Sequence, residues 1–199
     1  MRILAIIGSP RGRANTSILL RQLLAGAEAE GATAEVITPA KMQIAPCIAC
    51  EGCFRDGRCV AMDDYQNVYD MIRDSDALVL ATPIFFGAVS GQVKPLIDRC
   101  QCYWALREVV RAPMPPSPAG TRERKGVLIS VSGIDSMKMF EGARTTFRFL
   151  MRSLQGRVWA ELLYPGVEGP AEIQERPAAL ERAYTLGRRL ALGQEAEGS

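Results

Sequence analysis

The residues best suited to chemistry are four cysteines that lie close together in one short segment. They follow the spacing C-x2-C-x2-C-x5-C, at Cys47, Cys50, Cys53 and Cys59. Such thiols fit an iron–sulfur cluster, a tetrahedral zinc ion, a pair of disulfides, or simple packing of small apolar groups. The repeat of three residues is typical of the first ligands in bacterial ferredoxins, whereas zinc sites usually pair two knuckles across a longer loop. The spacing therefore favours a [4Fe–4S] cluster over zinc.

The rest of the chain limits the chemistry further. It contains no histidine, which excludes Ser-His-Asp and Cys-His catalysis and any histidine-ligated metal. Two more cysteines, Cys100 and Cys102, lie two apart in a predicted helix, so they point to different sides and are expected to be buried packing residues. Any reaction must depend on cysteines, carboxylates, hydroxyls or a bound cofactor.

Composition and charge describe an ordinary globular protein. The chain has 199 residues, of which 48% are hydrophobic, and a net charge of +2, which is too small to predict nucleic acid or an anionic membrane as the partner. The basic stretch Arg122–Lys125 is expected to be a solvated loop. The short apolar run at the N-terminus, followed by basic residues, predicts no signal peptide, and the apolar runs predict no membrane span. We expect one domain, residues 1–199, in a cytoplasmic protein. Because thiols stay reduced in the cytoplasm, disulfides between the clustered cysteines are disfavoured.

Strand and helix signals alternate along the chain. Apolar strands are predicted at Arg2–Ile7, Ala34–Thr38, Ala77–Thr82, Gly126–Val131 and Arg157–Tyr164. Helices are predicted at Thr16–Glu30, Gly91–Leu106, Met137–Leu154 and Ala178–Leu192, and a further helix is capped by Asp63 or Asp64 and ends near Asp74. The cysteine segment, residues 44–62, follows the second strand as a loop insertion. This α/β alternation predicts a flavodoxin-like three-layer sandwich with a five-stranded parallel sheet of order 2-1-3-4-5.

Ligands of such sheets bind beyond the carboxyl ends of the strands, where three loops are of interest. The first loop, "GSPRGRANTS" at Gly8–Ser17, combines hydroxyls and guanidinium groups with a helix N-terminus, as in phosphate sites. It matches neither a P-loop nor a dinucleotide fingerprint. A polar turn with a helix cap is the alternative interpretation.

The second and third loops are candidates for binding a flat ring. The second, "TPIFFGAVSGQVK" at Thr82–Lys94, places two adjacent phenylalanines at the ligand edge of the sheet. The alternative is that Phe85 and Phe86 are core or dimer-interface residues, which we expect of one of them. The third loop, "SVSGIDS" at Ser130–Ser136, is small and polar and could line the other side of a ring.

The first two loops together resemble the NAD(P)H-dependent FMN reductase group of flavodoxin-like proteins. The segments concerned are "GSPRGRANTS" and "ATPIFFGAVSGQVKPLIDR", and the cysteine motif between them resembles the iron–sulfur flavoprotein branch of that group. The resemblance implies an FMN-dependent oxidoreductase that moves electrons between FMN and a [4Fe–4S] cluster. An FMN-dependent NAD(P)H:quinone or flavin reductase without a cluster is the alternative. A zinc-stabilised binding module on the same scaffold is a third possibility.

The resemblance also implies roles for individual residues. The FMN phosphate would be held by Ser9, Arg11, Asn15, Thr16 and Ser17. The isoalloxazine ring would lie against Thr82, Pro83, Ile84, Phe85, Phe86 and Gly87, with Ser132 and Gly133 closing its far edge. The group often has tyrosine at Phe85 and glycine at Ala14. The implied partners are a redox donor and acceptor, such as NAD(P)H, a quinone or a ferredoxin, and further copies of the chain in a homodimer or homotetramer.

Overall fold

Five parallel strands form one sheet in the order β2-β1-β3-β4-β5, which confirms the predicted topology. The structure is a computed structural model that describes residues 1–11, 13–114, 116, 120 and 123–196. The strands are β1 (Arg2–Ile7), β2 (Thr33–Ile37), β3 (Ala77–Pro83), β4 (Arg124–Ser132) and β5 (Gly156–Pro165). The central strands are apolar because both faces of the sheet are covered, as in other parallel sheets.

Helices cover both faces of the sheet. They are α1 (Asn15–Ala29), α2 (Tyr65–Arg73), α3 (Lys94–Arg99), α4 (Gln101–Glu108), α5 (Glu141–Ser153) and α6 (Pro177–Ala191). Successive residues of β3 face opposite layers: Val79 packs in the core beneath α1 and α6, whereas Leu78 and Leu80 pack beneath the other four helices. Within the described ranges, no helix has the length and apolarity needed to cross a membrane.

Close contact with α6 fixes the position of α1. Gly26 and Gly187 face the backbone of the opposite helix, and a Cβ on either residue would overlap a carbonyl group there. Only glycine allows this approach. The N-terminus of α1 lies at the carboxyl edge of the sheet because the helix follows the carboxyl end of β1.

The prediction of one helix over Gly91–Leu106 is wrong. Helix α3 begins only at Lys94, with Pro95 in its first turn, where the missing N–H costs little. The chain then turns at Cys100, whose N–H bonds the carbonyls of both Leu96 and Ile97, and α4 begins at the next residue. This break turns Arg99 and Cys102 toward the cysteine loop.

Two other expectations need correction. Met137–Phe140 forms a turn of 3-10 helix before α5, so the helix predicted from Met137 starts later. The basic stretch is not simply a solvated loop, since Arg124 opens β4 and is 1% exposed. Its guanidinium donates to the carbonyl oxygens of Arg73 and Leu154, which satisfies buried backbone at the amino edge of the sheet. Arg122 lies outside the described residues.

Candidate functional site

The N-terminus of α1 has no side-chain cap among the described residues. The N-cap position is Ala14, in extended backbone with φ −74° and ψ 144°, and the first turn contains no acidic residue. The first N–H groups of a helix lack partners within the helix and carry partial positive charge. The alternative of a polar capping turn is therefore not supported, and the N–H groups remain available to an anion.

Thr16 adds a buried hydroxyl that has no partner. The residue is 1% exposed, and its Oγ1 makes no hydrogen bond within the described part of the chain. Buried hydroxyls are normally paired, because leaving one unpaired costs about 1–3 kcal/mol. The Thr16 hydroxyl therefore fits a site completed by a ligand that supplies an acceptor oxygen.

A cavity of about 240 Å³ opens over this N-terminus. The first and second loops meet there, which places two separately predicted segments in one site. Arg11 and Arg13 are exposed on its rim, and their two positive charges outnumber the one negative charge of the lining residue Glu168. The lining residues are Ser9, Arg11, Arg13, Ala14, Asn15, Thr16, Pro83, Ile84, Phe85, Val131, Gly133, Val167, Glu168, Gly169 and Pro170.

A second cavity, of about 620 Å³, adjoins the first through shared walls. Ile84, Phe85 and Gly133 belong to both cavities, so the anion site continues into a space bounded by the aromatic loop. The lining residues are Ile84, Phe85, Phe86, Gly87, Ser132, Gly133, Ile134, Met139 and Glu168. Residues of the second loop and residues of the third loop therefore line one surface.

Ser17 and Thr82 line neither of these cavities, although both are buried. The Thr82 hydroxyl accepts from the N–H of Ser90 at 3.1 Å, and its carbonyl accepts from the Ser130 hydroxyl at 2.6 Å. Thr82 therefore fixes the start of the aromatic loop. Direct contact of Ser17 and Thr82 with a cofactor stays a prediction.

The aromatic loop presents both phenylalanines to solvent. Phe85 is 44% exposed and Phe86 109%, so neither is a core residue. Phe85 and Ala88 exchange backbone hydrogen bonds at 3.0 and 3.1 Å across Phe86 and Gly87, whose φ angles are 49° and 74°. Two positive φ values are typical of a type I′ turn, which disfavours a bulky residue such as phenylalanine. A strained, outward-facing aromatic ring indicates a functional surface.

Asn15 organises a wall that the sequence did not predict. Its side-chain amide donates to the carbonyl of Gly169 at 2.8 Å, and its Oδ1 accepts from the N–H of Ile173 at 3.1 Å. These bonds hold the loop after β5 over the first cavity, where Val167–Pro170 form a wall. A glycine- and proline-containing run directly after the fifth strand was the available signal, because it lies at the ligand edge of the sheet.

The four clustered cysteines surround a third cavity, of about 360 Å³. Cys47 and Cys50 are exposed, Cys53 and Cys59 are half-buried, and all six cysteines are free. No disulfide is therefore formed. Within the described residues, no group of three or more cysteine, aspartate or glutamate side chains is placed to hold a single metal ion. The thiols surround a space rather than converge on one point.

The cysteine loop contains unusual backbone. Ala49 and Glu51, on either side of Cys50, have φ angles of 54° and 59°, in the region that favours glycine. Gly57 has φ 76°, and a Cβ there would lie 2.5 Å from the side chain of Leu106. The loop is consequently held in one specific and strained shape against α4.

An ion pair closes the base of the cysteine loop. Arg99 bonds Asp63 at 2.8 and 3.1 Å and also donates to the carbonyls of Ala45 and Ala61, which precede and follow the cysteines. Asp63 in turn accepts from the N–H of Ala45. Although burial raises the pKa of the Asp63 carboxyl, the hydrogen bonds from Arg99 and the backbone lower it below its ordinary value. The sequence predicted no role for Arg99.

Cys100 and Cys102 are buried, as predicted. Cys102 nevertheless lines the cysteine cavity, and its sulfur lies 3.2 Å from the hydroxyl of Tyr65. Burial raises the pKa of Cys102 to about 12, so it is a neutral thiol near pH 7. Cys102 is therefore an apolar wall of the cavity and differs from the four loop cysteines.

Comparisons with known proteins agree with this geometry. A family model described as NADPH-dependent FMN reductase matches residues 1–160. The chain is 37% identical over 99 residues to an iron–sulfur flavoprotein of Methanocaldococcus jannaschii, a match that covers 50% of this chain and 51% of that protein. The chain thus spans about half the length of this curated relative.

Two solved structures share the fold. A flavone reductase superimposes with a TM-score of 0.69 at 22% identity, over 97% of this chain and 62% of the other. An NAD(P)H:quinone oxidoreductase of Methanothermobacter marburgensis superimposes with a TM-score of 0.65 at 19% identity, over 96% of both chains. At these identities the likeness establishes the common architecture.

Proposed function

The chain belongs to the NADPH-dependent FMN reductase family, and on that premise we propose that it is an FMN-binding oxidoreductase that also carries a [4Fe–4S] cluster. One observation carries the FMN assignment: the buried, unpartnered Thr16 hydroxyl at the uncapped N-terminus of α1. Next to this anion site lies the aromatic loop, joined to it by shared cavity walls. A cofactor that combines a phosphate with a flat ring matches both features.

Residues around the first cavity would bind the phosphate of FMN, and residues around the second would contact its ring. The Thr16 hydroxyl and the N–H groups of α1 would bind the phosphate, and Arg11 and Arg13 would neutralise it from the rim. Phe85 and Phe86 would cover the ring and exclude water. When bound, FMN supplies hydride and single-electron chemistry, so a chain without histidine needs no nucleophile of its own.

The cluster assignment depends on the cysteine cavity. Four thiols from one short loop surround it, and the buried Nε of Arg99 in its wall has no acceptor among the described residues. A bound group with several sulfur acceptors would fill the cavity and accept a hydrogen bond from this donor. A cluster on Cys47, Cys50, Cys53 and Cys59 has these properties and, when bound, supplies one-electron chemistry. The name of the related M. jannaschii protein supports the same choice.

A reductase without a cluster is the second candidate. It is favoured by the absence, within the described ranges, of a group of side chains arranged around a single metal ion. The fold is also that of structures named for flavone and quinone reduction. In that case the loop thiols serve as packing or redox groups. The same absence disfavours the zinc-stabilised module.

We further propose that the chain forms a homodimer or homotetramer. Large apolar side chains are exposed around both candidate sites, namely Ile48, Met62, Phe86, Ile134 and Met137. Such surfaces are usually covered by another chain. Light scattering at micromolar concentration should give at least twice the mass of 21.7 kDa. A monomer would contradict the proposal.

Anaerobic reduction tests the function. Protein loaded with FMN, iron and sulfide is mixed with NADH or NADPH and then with a quinone or a ferredoxin. We expect loss of flavin absorbance with at least one donor. The variant Cys53→Ser should keep quinone reduction and lose most electron delivery to ferredoxin, which accepts single electrons. A wild type that no donor reduces would contradict an NAD(P)H-dependent oxidoreductase. Equal ferredoxin reduction by both proteins would favour the cluster-free reductase.

A further inference from the structure

Arg99 is a buried cation with one unused donor. Its side chain is 1% exposed, and a guanidinium carries five N–H donors. Nη1 donates to Asp63 and to the carbonyl of Ala45, and Nη2 donates to Asp63 and to the carbonyl of Ala61. The four terminal N–H groups are therefore in use. The Nε–H is buried and has no partner within the described part of the chain.

This donor belongs to the wall of the cysteine cavity. Arg99 lines the same space as the four loop cysteines. The guanidinium also stacks on the ring of Tyr65 at 4.6 Å, which fixes its plane. Burial lowers the pKa of Arg99, but Asp63 and the nearby Cys59 outweigh that and raise it. The Cys59 thiol lies near enough to Arg99 to raise its pKa through charge and hydrogen bonding, although no acceptor in the described part of the chain is within hydrogen-bond geometry of Nε.

The clamp at the base of the loop does not explain the fifth donor. Closing the loop needs only the terminal nitrogens, and a lysine or a neutral amide with fewer donors would bury no unpaired N–H. A donor without an acceptor is costly to bury unless a ligand completes it. The cavity that Nε borders is lined by thiols, and sulfur in a metal cluster accepts hydrogen bonds.

We propose that Arg99 donates its Nε–H to a sulfur of the cluster and thereby stabilises the reduced cluster; this inference rests on the proposed function. Each electron taken up adds one negative charge at the cluster. A fixed cationic donor favours the more negative form, and so raises the reduction potential. Asp63 bonds the terminal nitrogens of the same guanidinium, and its negative charge disfavours the reduced cluster and so lowers the reduction potential.

The test compares two variants that weaken the same clamp. Holoprotein is reconstituted anaerobically with FMN, iron and sulfide, and the cluster is titrated with dithionite and followed by electron paramagnetic resonance. We expect Arg99→Gln to shift the equilibrium about tenfold toward the oxidised cluster, which is 59 mV for one electron. We expect Asp63→Asn to leave the potential unchanged or to raise it. Equal potentials in wild type and Arg99→Gln, or shifts of both variants in the same direction, would overturn the contact.

Iron content gives an independent readout if the variants lose the cluster. Circular dichroism and FMN content show whether each variant is folded. Loss of iron in Arg99→Lys together with retention in Asp63→Asn supports a direct contact, because the second variant keeps the Nε–H. Equal loss in both folded variants overturns it and leaves Arg99 as a loop clamp. A wild type that binds FMN but no iron overturns the cluster itself, and this is seen before any variant is made.

Discussion

The FMN assignment depends on one atom, the hydroxyl oxygen of Thr16. Its Oγ1 is buried and unpaired, at the N-terminus of a helix whose N-cap is an alanine. In the apoprotein this hydroxyl is unfavourable, and with bound phosphate it becomes a donor. The two states therefore respond in opposite directions when the hydroxyl is removed.

We expect Thr16→Val to stabilise the apoprotein and weaken FMN binding. The isosteric change removes an unpaired polar atom, which should raise the free energy of unfolding by about 1 kcal/mol. It should weaken FMN about tenfold, because hydrogen bonds to a charged group contribute about 1.5–3 kcal/mol. Urea unfolding and fluorescence titration measure the two effects.

Riboflavin, which lacks the phosphate, is the matched ligand, and Thr16→Ser is the matched variant. Riboflavin affinity should be the same in wild type and Thr16→Val, and Thr16→Ser should keep most of the FMN affinity. A destabilised apoprotein with unchanged FMN affinity would assign Thr16 a structural role instead.

The backbone of Phe86 is strained, and its ring is exposed. A bulky residue with φ 49° is strained by about 1 kcal/mol, and asparagine tolerates this backbone better. Phe86→Asn should therefore raise the Tm of the apoprotein by about 2–4 °C. It should also weaken FMN binding, because the ring is lost.

Phe86→Leu separates the two effects, since leucine keeps the strain and loses the ring. We expect an unchanged Tm and weaker FMN binding. If Phe86→Asn binds FMN as tightly as wild type, the ring does not contact the cofactor.

At the scale of elements, the cysteine loop is an insertion held at its base. The segment between β2 and α2 has no regular strand, and its shape depends on the Arg99–Asp63 pair and on left-handed backbone at Ala49 and Glu51. The loop and its cysteines were predictable from spacing. Arg99 was not, because its role arises from a break between α3 and α4 that the helical pattern of Gly91–Leu106 conceals.

Acid should open this clamp. The pKa of Asp63 is lowered from its ordinary 3.8 in the folded protein. Its stabilisation is therefore complete above about pH 4 and is lost as pH falls through the lower, folded-state value. We expect Asp63→Asn to cost about 3–5 kcal/mol at pH 7, because it leaves Arg99 buried without its counter-ion. The difference from wild type should shrink below pH 4.

Urea unfolding of the apoprotein between pH 2 and pH 7 measures this difference, with the exposed Asp135→Asn as the control. A gap between wild type and Asp63→Asn that stays constant down to pH 2 would show that the ionised carboxylate does not stabilise the loop.

At the scale of the whole molecule, alternation of apolar strands and amphipathic helices was enough to predict the sheet. The order 2-1-3-4-5 followed from right-handed crossovers and short connections. The loop after β5 was not predicted as a wall, because its position depends on the long-range bonds of Asn15. The single domain over residues 1–199 stays a prediction.

The flavin site and the cysteine site are separate within the chain. The cysteine cavity shares no lining residue with the two cavities of the first and second loops. Electron exchange between them, within one subunit or across an interface between copies, is therefore part of the proposed function.

The most direct measurement is the cofactor content of protein purified without oxygen. FMN, iron, acid-labile sulfide and zinc are assayed per chain, together with an absorbance spectrum. We predict one FMN, four irons and four sulfides, with negligible zinc. Protein that contains zinc and binds no FMN would contradict both the flavin site and the cluster. FMN without iron would support the flavin site and contradict the cluster.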